Sequence, residues 1–286
     1  MMSWISEPLS YPFMQQALLI AVLVGTVCAV LSCYLILKGW SLMGDAVSHA
    51  VLPGIVIAFL VGAPLAVGAF IAGLFCAVAT GYLKENSRIK EDTVMGVVFS
   101  GMFAFGIVLF VKVETDQHLN HILFGNLLGV SQAELIEMAV TAIAVIAIVL
   151  VKRRDLMLYC FDPEHAQAIN LPVRSLHYGL LILLSLTIVA SIKAVGIILV
   201  VAMLIAPGAI GYLVTDRFDK MMAVAVASAI ASSVAGTILS FHIGGATGPT
   251  IILVQASLFM VAFVFGQRRT SPTALDRKAA QRPSLR

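Results

Sequence analysis

Asp45 and His49 stand four residues apart inside the apolar run 42–60, LMGDAVSHAVLPGIVIAFL. An ionisable side chain inside a membrane span is expensive, about 2.5 to 3.5 kcal/mol for an Asp at the helix centre, so such residues mark ion paths, relays or ligands. Positions i and i+4 share a helix face, which lets a carboxylate oxygen and an imidazole nitrogen address one object. Carboxylate with neutral imidazole is a mixed donor pair that accepts divalent manganese, iron or zinc. If the helix starts near Ser41, a rise of about 1.5 Å per residue puts Asp45 roughly 6 Å and His49 roughly 12 Å along it. His49 then lies near the middle of a hydrocarbon core of about 30 Å, on its inner half. Two ligands are too few for tight retention; they suit a transit site that a second copy of the pair would complete to four. The bland alternative is interhelical glue, whose gain of about 1 kcal/mol or less per polar residue does not offset the insertion cost.

The elements that must position this pair are membrane helices. Of the 286 residues 60% are hydrophobic and 12% charged, against roughly 25% charged in a soluble domain, and the mean hydropathy is +1.01. This composition describes an all-α, polytopic integral membrane protein. Nine apolar runs approach or exceed the roughly 20 residues that a crossing needs. They cover about 13–37, 42–61, 64–83, 93–111, 132–151, 176–192, 195–214, 221–240 and 249–266. The count falls to eight if 176–214, interrupted only by Ser191, Ile192, Lys193 and Ala194, is one long helix.

Basic residues are retained on the cytoplasmic side. With the N-terminus outside, 16 of the 18 Lys and Arg fall in inner loops or the tail, leaving only Lys112 and Lys193 outside. An odd number of crossings fits. The organisation is then an extracytoplasmic segment 1–12, a membrane domain 13–266 and a basic cytoplasmic tail 267–286 that reads as disordered and at most touches anionic lipid. The net charge of +3 reports topology and gives no reason to expect nucleic-acid binding. The start MMSWISEPLSYPF lacks the basic region of a cleavable signal, so the first run is expected to stay as a helix. Cys28, Cys33, Cys76 and Cys160 have no framework or zinc spacing.

The hydrophilic interval 152–176 carries helix signals of its own. Asp162 can cap, Pro163 suits the first helical position, Glu164 to Ile169 includes His165, Ala166 and Ala168, and Asn170, Leu171 and Pro172 stop it. Such a piece is either a cytoplasmic knob that docks on a partner or an ordinary capped loop. On the outer side Glu114, Asp116, His118 and His121 could gather cations at a mouth, or simply be a polar loop. His177 sits at a cytoplasmic helix end, read as one where partial positive charge is favourable. Pro53 with Gly54 and Pro207 with Gly208 are candidate helix breaks. GxxxxGK[ST], HExxH and GxSxG are all missing, so energy must come from a partner or a gradient and enzyme activity is not expected.

Five blocks, GWSLMGDAVSHAVLPG (39–54), KEDTVMGVVFSGMFAFGIVL (90–109), HILFGNLLGVS (121–131), DPEHAQAINLPV (162–173) and VGIILVVAMLIAPGA (195–209), resemble the permease subunits of ABC-type manganese, iron and zinc importers. The likeness runs in order over about 10–265, and its look is nearest the manganese/iron branch of Gram-negative bacteria. It implies a type II importer permease in the bacterial inner membrane, with a second permease (the same chain or a related one), a cytoplasmic ATPase dimer that uses the ATP, and a periplasmic or surface metal-binding protein. It implies no permanently bound cofactor. By this resemblance Asp45 and His49 are the metal positions, Asp162 to Pro172 is the coupling helix, and 115–129 partly re-enters on the outer side. SFHIGGATGPT, with His242, departs from the family pattern. A gradient-driven secondary metal carrier is the alternative, with a membrane scaffold as a third reading.

Overall fold

The computed structural model describes residues 7, 8, 10–112 and 127–267. Where no water can satisfy backbone N–H and C=O groups, a spanning segment must bond within itself, and each apolar run is accordingly helical. In chain order the helices are α1 (Pro12–Lys38), α2 (Met43–Ala50), α3 (Leu52–Val61), α4 (Leu65–Glu85), α5 (Glu91–Lys112), α6 (Gln132–Val151), α7 (Arg153–Phe161), α8 (Pro163–Ala168), α9 (Val173–Val195), α10 (Ile197–Val214), α11 (Phe218–Ile243) and α12 (Thr247–Gln267). Among the described residues there are nine membrane-length segments, α2 and α3 together forming the second, and no strand. The stretch 176–214 is two helices. Gly196 separates them at φ 80 and ψ 165, a backbone region that side-chain-bearing residues rarely enter.

The α1 helix is the axis of the bundle. It packs against α6, α7, α9, α10 and α11, and 72% of its most apolar stretch is buried, against 17% for α5 and α12 at the periphery. Around α2 and α3 gather α4, α5, α9 and α10. Helix association in lipid depends on close packing and interhelical hydrogen bonds, because hydrocarbon is as apolar as leucine. Both devices are present. A Cβ built on Gly54 would run into the Gly68 carbonyl oxygen, and one on Gly68 into the Gly54 carbonyl, while Ala58 and Ala72 continue the same seam one turn on. Between α1 and α10, the Ser32 hydroxyl donates to the Ile205 carbonyl at 3.2 Å and accepts from the Gly208 N–H at 2.9 Å.

These contacts correct part of the expected pattern of breaks. The α10 helix runs on through Pro207 and Gly208, since Ser32 bonds the backbone on both sides of the proline and the missing Gly208 side chain admits that serine. Gly54 is a packing position. The interruption in the second span falls at Val51, just before Pro53 in the first turn of α3. Gly106 of α5 covers the proline, as a Cβ there would lie 2.9 Å from both the ring nitrogen and Cδ of Pro53.

Candidate metal site

The backbone turn at Gly39, φ 77, ends α1, and the Trp40 N–H closes it on the Leu35 carbonyl at 2.8 Å. This sharp reversal starts α2 at Met43. Helix α2 buries Met43, Gly44, Ala46, Val47, Ser48 and Ala50. Gly44 meets Leu204 of α10, and Val47 with Val51 meets Gly73 of α4. Asp45 and His49 occupy the remaining face.

His49 Nε2 lies 3.4 Å from Asp45 Oδ1, with the side chains 27% and 38% exposed respectively. The imidazole rests against α5, its centroid 5.2 Å from Phe103 in an edge arrangement and 6.3 Å from Phe99 in a stacked one. Counted from Met43, His49 is about 9 Å along the helix, one turn before the proline. Metal–ligand bonds of about 2.1 Å to two atoms 3.4 Å apart subtend an angle of about 108°, close to the tetrahedral value. The pair can therefore chelate one cation with little movement.

His49 Nδ1 is buried without a hydrogen-bond partner. In a retentive site the second ring nitrogen of a ligand histidine usually donates to a carboxylate or carbonyl that fixes tautomer and orientation. Here that support is lacking. Among the described residues no group of three His, Cys, Asp or Glu gathers anywhere, so among them the pair has no third such donor. An open two-ligand face suits brief contact with an ion and completion by something outside the subunit.

The hydrophilic interval 152–172 folds as two short helices. Asp162 accepts from the His165 N–H at 2.9 Å, Pro163 opens α8, Ala166 is buried, and Asn170 at φ 60 ends the piece while the Leu171 N–H returns to the Ala166 carbonyl. Glu164 and His165 are exposed and Pro172 leads into α9. Sequence reasoning missed α7; its buried residues Leu156, Tyr159 and Cys160 show the i, i+3, i+4 spacing that could have revealed it. Cys160 is buried in the packing of α7, and that burial pushes its thiol up to about 12 against the opposing Lys38 ammonium. Phe161 and Ile169, 77% and 53% exposed, flank α8 with apolar surface. If α8 is a docking knob, Phe161→Ala with Ile169→Ala will weaken binding of the cognate ATPase about tenfold. Unchanged co-purification would make α8 an ordinary loop.

His177 requires a correction. It lies in the second turn of α9, at the N-terminal end of that helix, where the dipole disfavours positive charge. Its Nδ1 pairs with the Tyr159 hydroxyl at 2.7 Å. His242 occupies the last turn of α11, Nδ1 bonded to the Ile238 carbonyl at 3.0 Å. The outer-mouth candidates Glu114, Asp116, His118 and His121, the interval 113–126 and the tail from 268 lie outside the described residues.

The profile of the family described as "ABC 3 transport family" matches residues 10–266. The chain belongs to that family. Among curated members, it is 64% identical over 263 residues to the "Chelated iron transport system membrane protein YfeD" of Yersinia pestis, covering 92% of this chain and 89% of the relative. It is 49% identical over 261 residues to the "Manganese transport system membrane protein MntB" of Synechocystis, covering 91% and 85%. Of solved structures, "PsaBC from Streptococcus pneumoniae in complex with Fab" superposes with a TM-score of 0.82 at 37% identity, over 91% of this chain and 94% of that one. The all-α, polytopic ABC permease architecture is thereby established, and the family's members are membrane subunits of transport systems and not themselves enzymes.

Proposed function

We propose that this permease forms half of the membrane pathway of an ATP-driven importer of divalent manganese or iron, and that Asp45 and His49 bind the ion in passage. The carrying observation is the oxygen–nitrogen pair 3.4 Å apart on an open face of an apolar span. Relatives named for iron and for manganese transport support that cargo, and the donor set is chemically suited to both. Zinc accepts the same donors. A second permease, the same chain or a paralogue, supplies the remaining ligands across a two-fold axis. A binding protein presents the ion at the outer face. A cytoplasmic ATPase dimer docks on α8 and supplies the energy, since this sequence has no phosphate loop. The Lys and Arg in alternate loops support a topology with the N-terminus outside and the tail in the cytoplasm, the chain lying in a bacterial inner membrane.

The deciding experiment is uptake of radioactive manganese, iron and zinc into proteoliposomes holding the permease with and without its ATPase. Uptake that needs both ATP and the ATPase is expected, with manganese or iron preferred. Uptake by the permease alone under a proton gradient would replace this reading with a secondary carrier.

A further inference from the structure

On the inner side, away from Asp45 and His49, a cavity of about 300 Å³ opens between the end of α1, the end of α4, the α7–α8 joint and the start of α9. Lys38, Lys84 and Arg174 line it together with the imidazole of His177. Among the described residues lining it there is no Asp or Glu. Three cationic side chains from three different helices thus meet around one space, a lining chemically suited to an anion.

The walls carry further marks of an anion site. Trp40, only 2% exposed, lines the cavity, and its indole Nε1 is buried with no acceptor. A buried donor left unmet costs about 1 to 3 kcal/mol, so an oxygen-rich ligand reaching this wall would remove a standing penalty. Lys38 is fixed by aromatic faces, Nζ lying 4.2 Å from the Tyr159 ring centroid and 5.9 Å from that of Trp40. The first turn of α9, a helix of 23 residues, contributes Val173 and Arg174, bringing the positive end of its dipole to the same space.

We propose that this cavity binds a phosphate group, that of an anionic phospholipid of the inner leaflet. The position favours a headgroup over a free ion: the lining comes from the ends of membrane helices, cytoplasmic in the orientation proposed above, and Tyr178 in its wall is 45% exposed, as aromatic residues are at a membrane interface. Basic pockets between membrane helices on the cytoplasmic side have this chemistry. Met43, where α2 begins, and Pro163, the first residue of α8, also line the space. A bound phosphate would therefore touch both the segment that carries the metal pair and the segment that faces the ATPase.

The test is lipid retention by the purified full chain in detergent, read by native mass spectrometry with phosphatidylglycerol and phosphatidylcholine in competition. One phosphatidylglycerol is expected to remain preferentially on the wild type, and Lys38→Gln with Arg174→Gln is expected to weaken its retention by about tenfold or more. The charge-conserving Lys38→Arg with Arg174→Lys keeps retention near wild type, which separates lost charge from lost folding. Trp40→Phe, which keeps an aromatic side chain but removes the indole N–H, weakens it by a smaller factor. Displacement by millimolar inorganic phosphate, itself lost in the Gln pair, would support the phosphate site and assign it to a free anion. Equal retention of the two lipids, or retention unchanged in a folded Gln variant, overturns the proposal.

Discussion

Asp45→Ala and His49→Ala will each lower ATP-driven metal uptake by about tenfold or more, the loss that follows from removing at least 1.4 kcal/mol of binding along the path. The described residues provide two donors and no third beside them, so losing either leaves a single ligand there, and a lone ligand cannot compete with the hydration shell of a divalent ion. The direction of the stability change separates this site from a structural pair. Asp45 has no other hydrogen bond or ion pair among the described residues, and a carboxylate in a span is costly to insert. Asp45→Ala is therefore expected to leave the melting temperature unchanged or higher while transport is lost. Uptake within a factor of two of wild type, or a fall in stability that accounts for the lost transport, would make the pair a packing device. Asp45→Asn is the milder comparison: size and polarity stay while the charge goes, and uptake should fall nearly as far.

A comparably large loss, now of folded protein, is expected from Gly54→Leu and from Gly68→Leu. Each glycine lies against the other's carbonyl oxygen, and the obstacle to a side chain is backbone, which cannot rotate away. Overpacking of this kind costs typically about 1 to 3 kcal/mol and sometimes more. Because α3 continues from the helix that carries the metal pair, splaying α3 from α4 would also move Asp45 and His49. The expected observations are a lower melting temperature in detergent and a reduced monodisperse yield. Gly101→Ala is the control: it lies in the same half of the bundle, nothing stands within 4 Å of its would-be Cβ, and its melting temperature should stay level or rise. A Gly54→Leu protein that melts with the wild type would show that the seam between α3 and α4 is loose.

The nine spans were legible because each must by itself be apolar for the width of the membrane and must close its own backbone hydrogen bonds, and both demands are written locally. The cap at Asp162 and the proline at the first position of α8 were legible for the same reason: capping involves residues three apart. Asp45 and His49 stood out because charge in an apolar run is rare, and their common face followed from helical spacing alone. Lateral arrangement was not legible. Lipid is as apolar as a neighbouring helix, so hydropathy does not say which face packs, and contact is decided by shape and by a few hydroxyls. Only the folded chain set Gly54 against Gly68, put Ser32 beside Pro207 so that an expected break became a continuous helix, and laid Phe99 and Phe103 along His49. It also brought Lys38, Lys84 and Arg174 from distant parts of the chain around one cavity. Sequence by itself determined the membrane class, the crossings and the shared helix face of Asp45 and His49. Tertiary structure decided that this pair is half-buried against Phe99 and Phe103, because helix-to-helix contacts, unlike helix formation, depend on residues far apart in the chain.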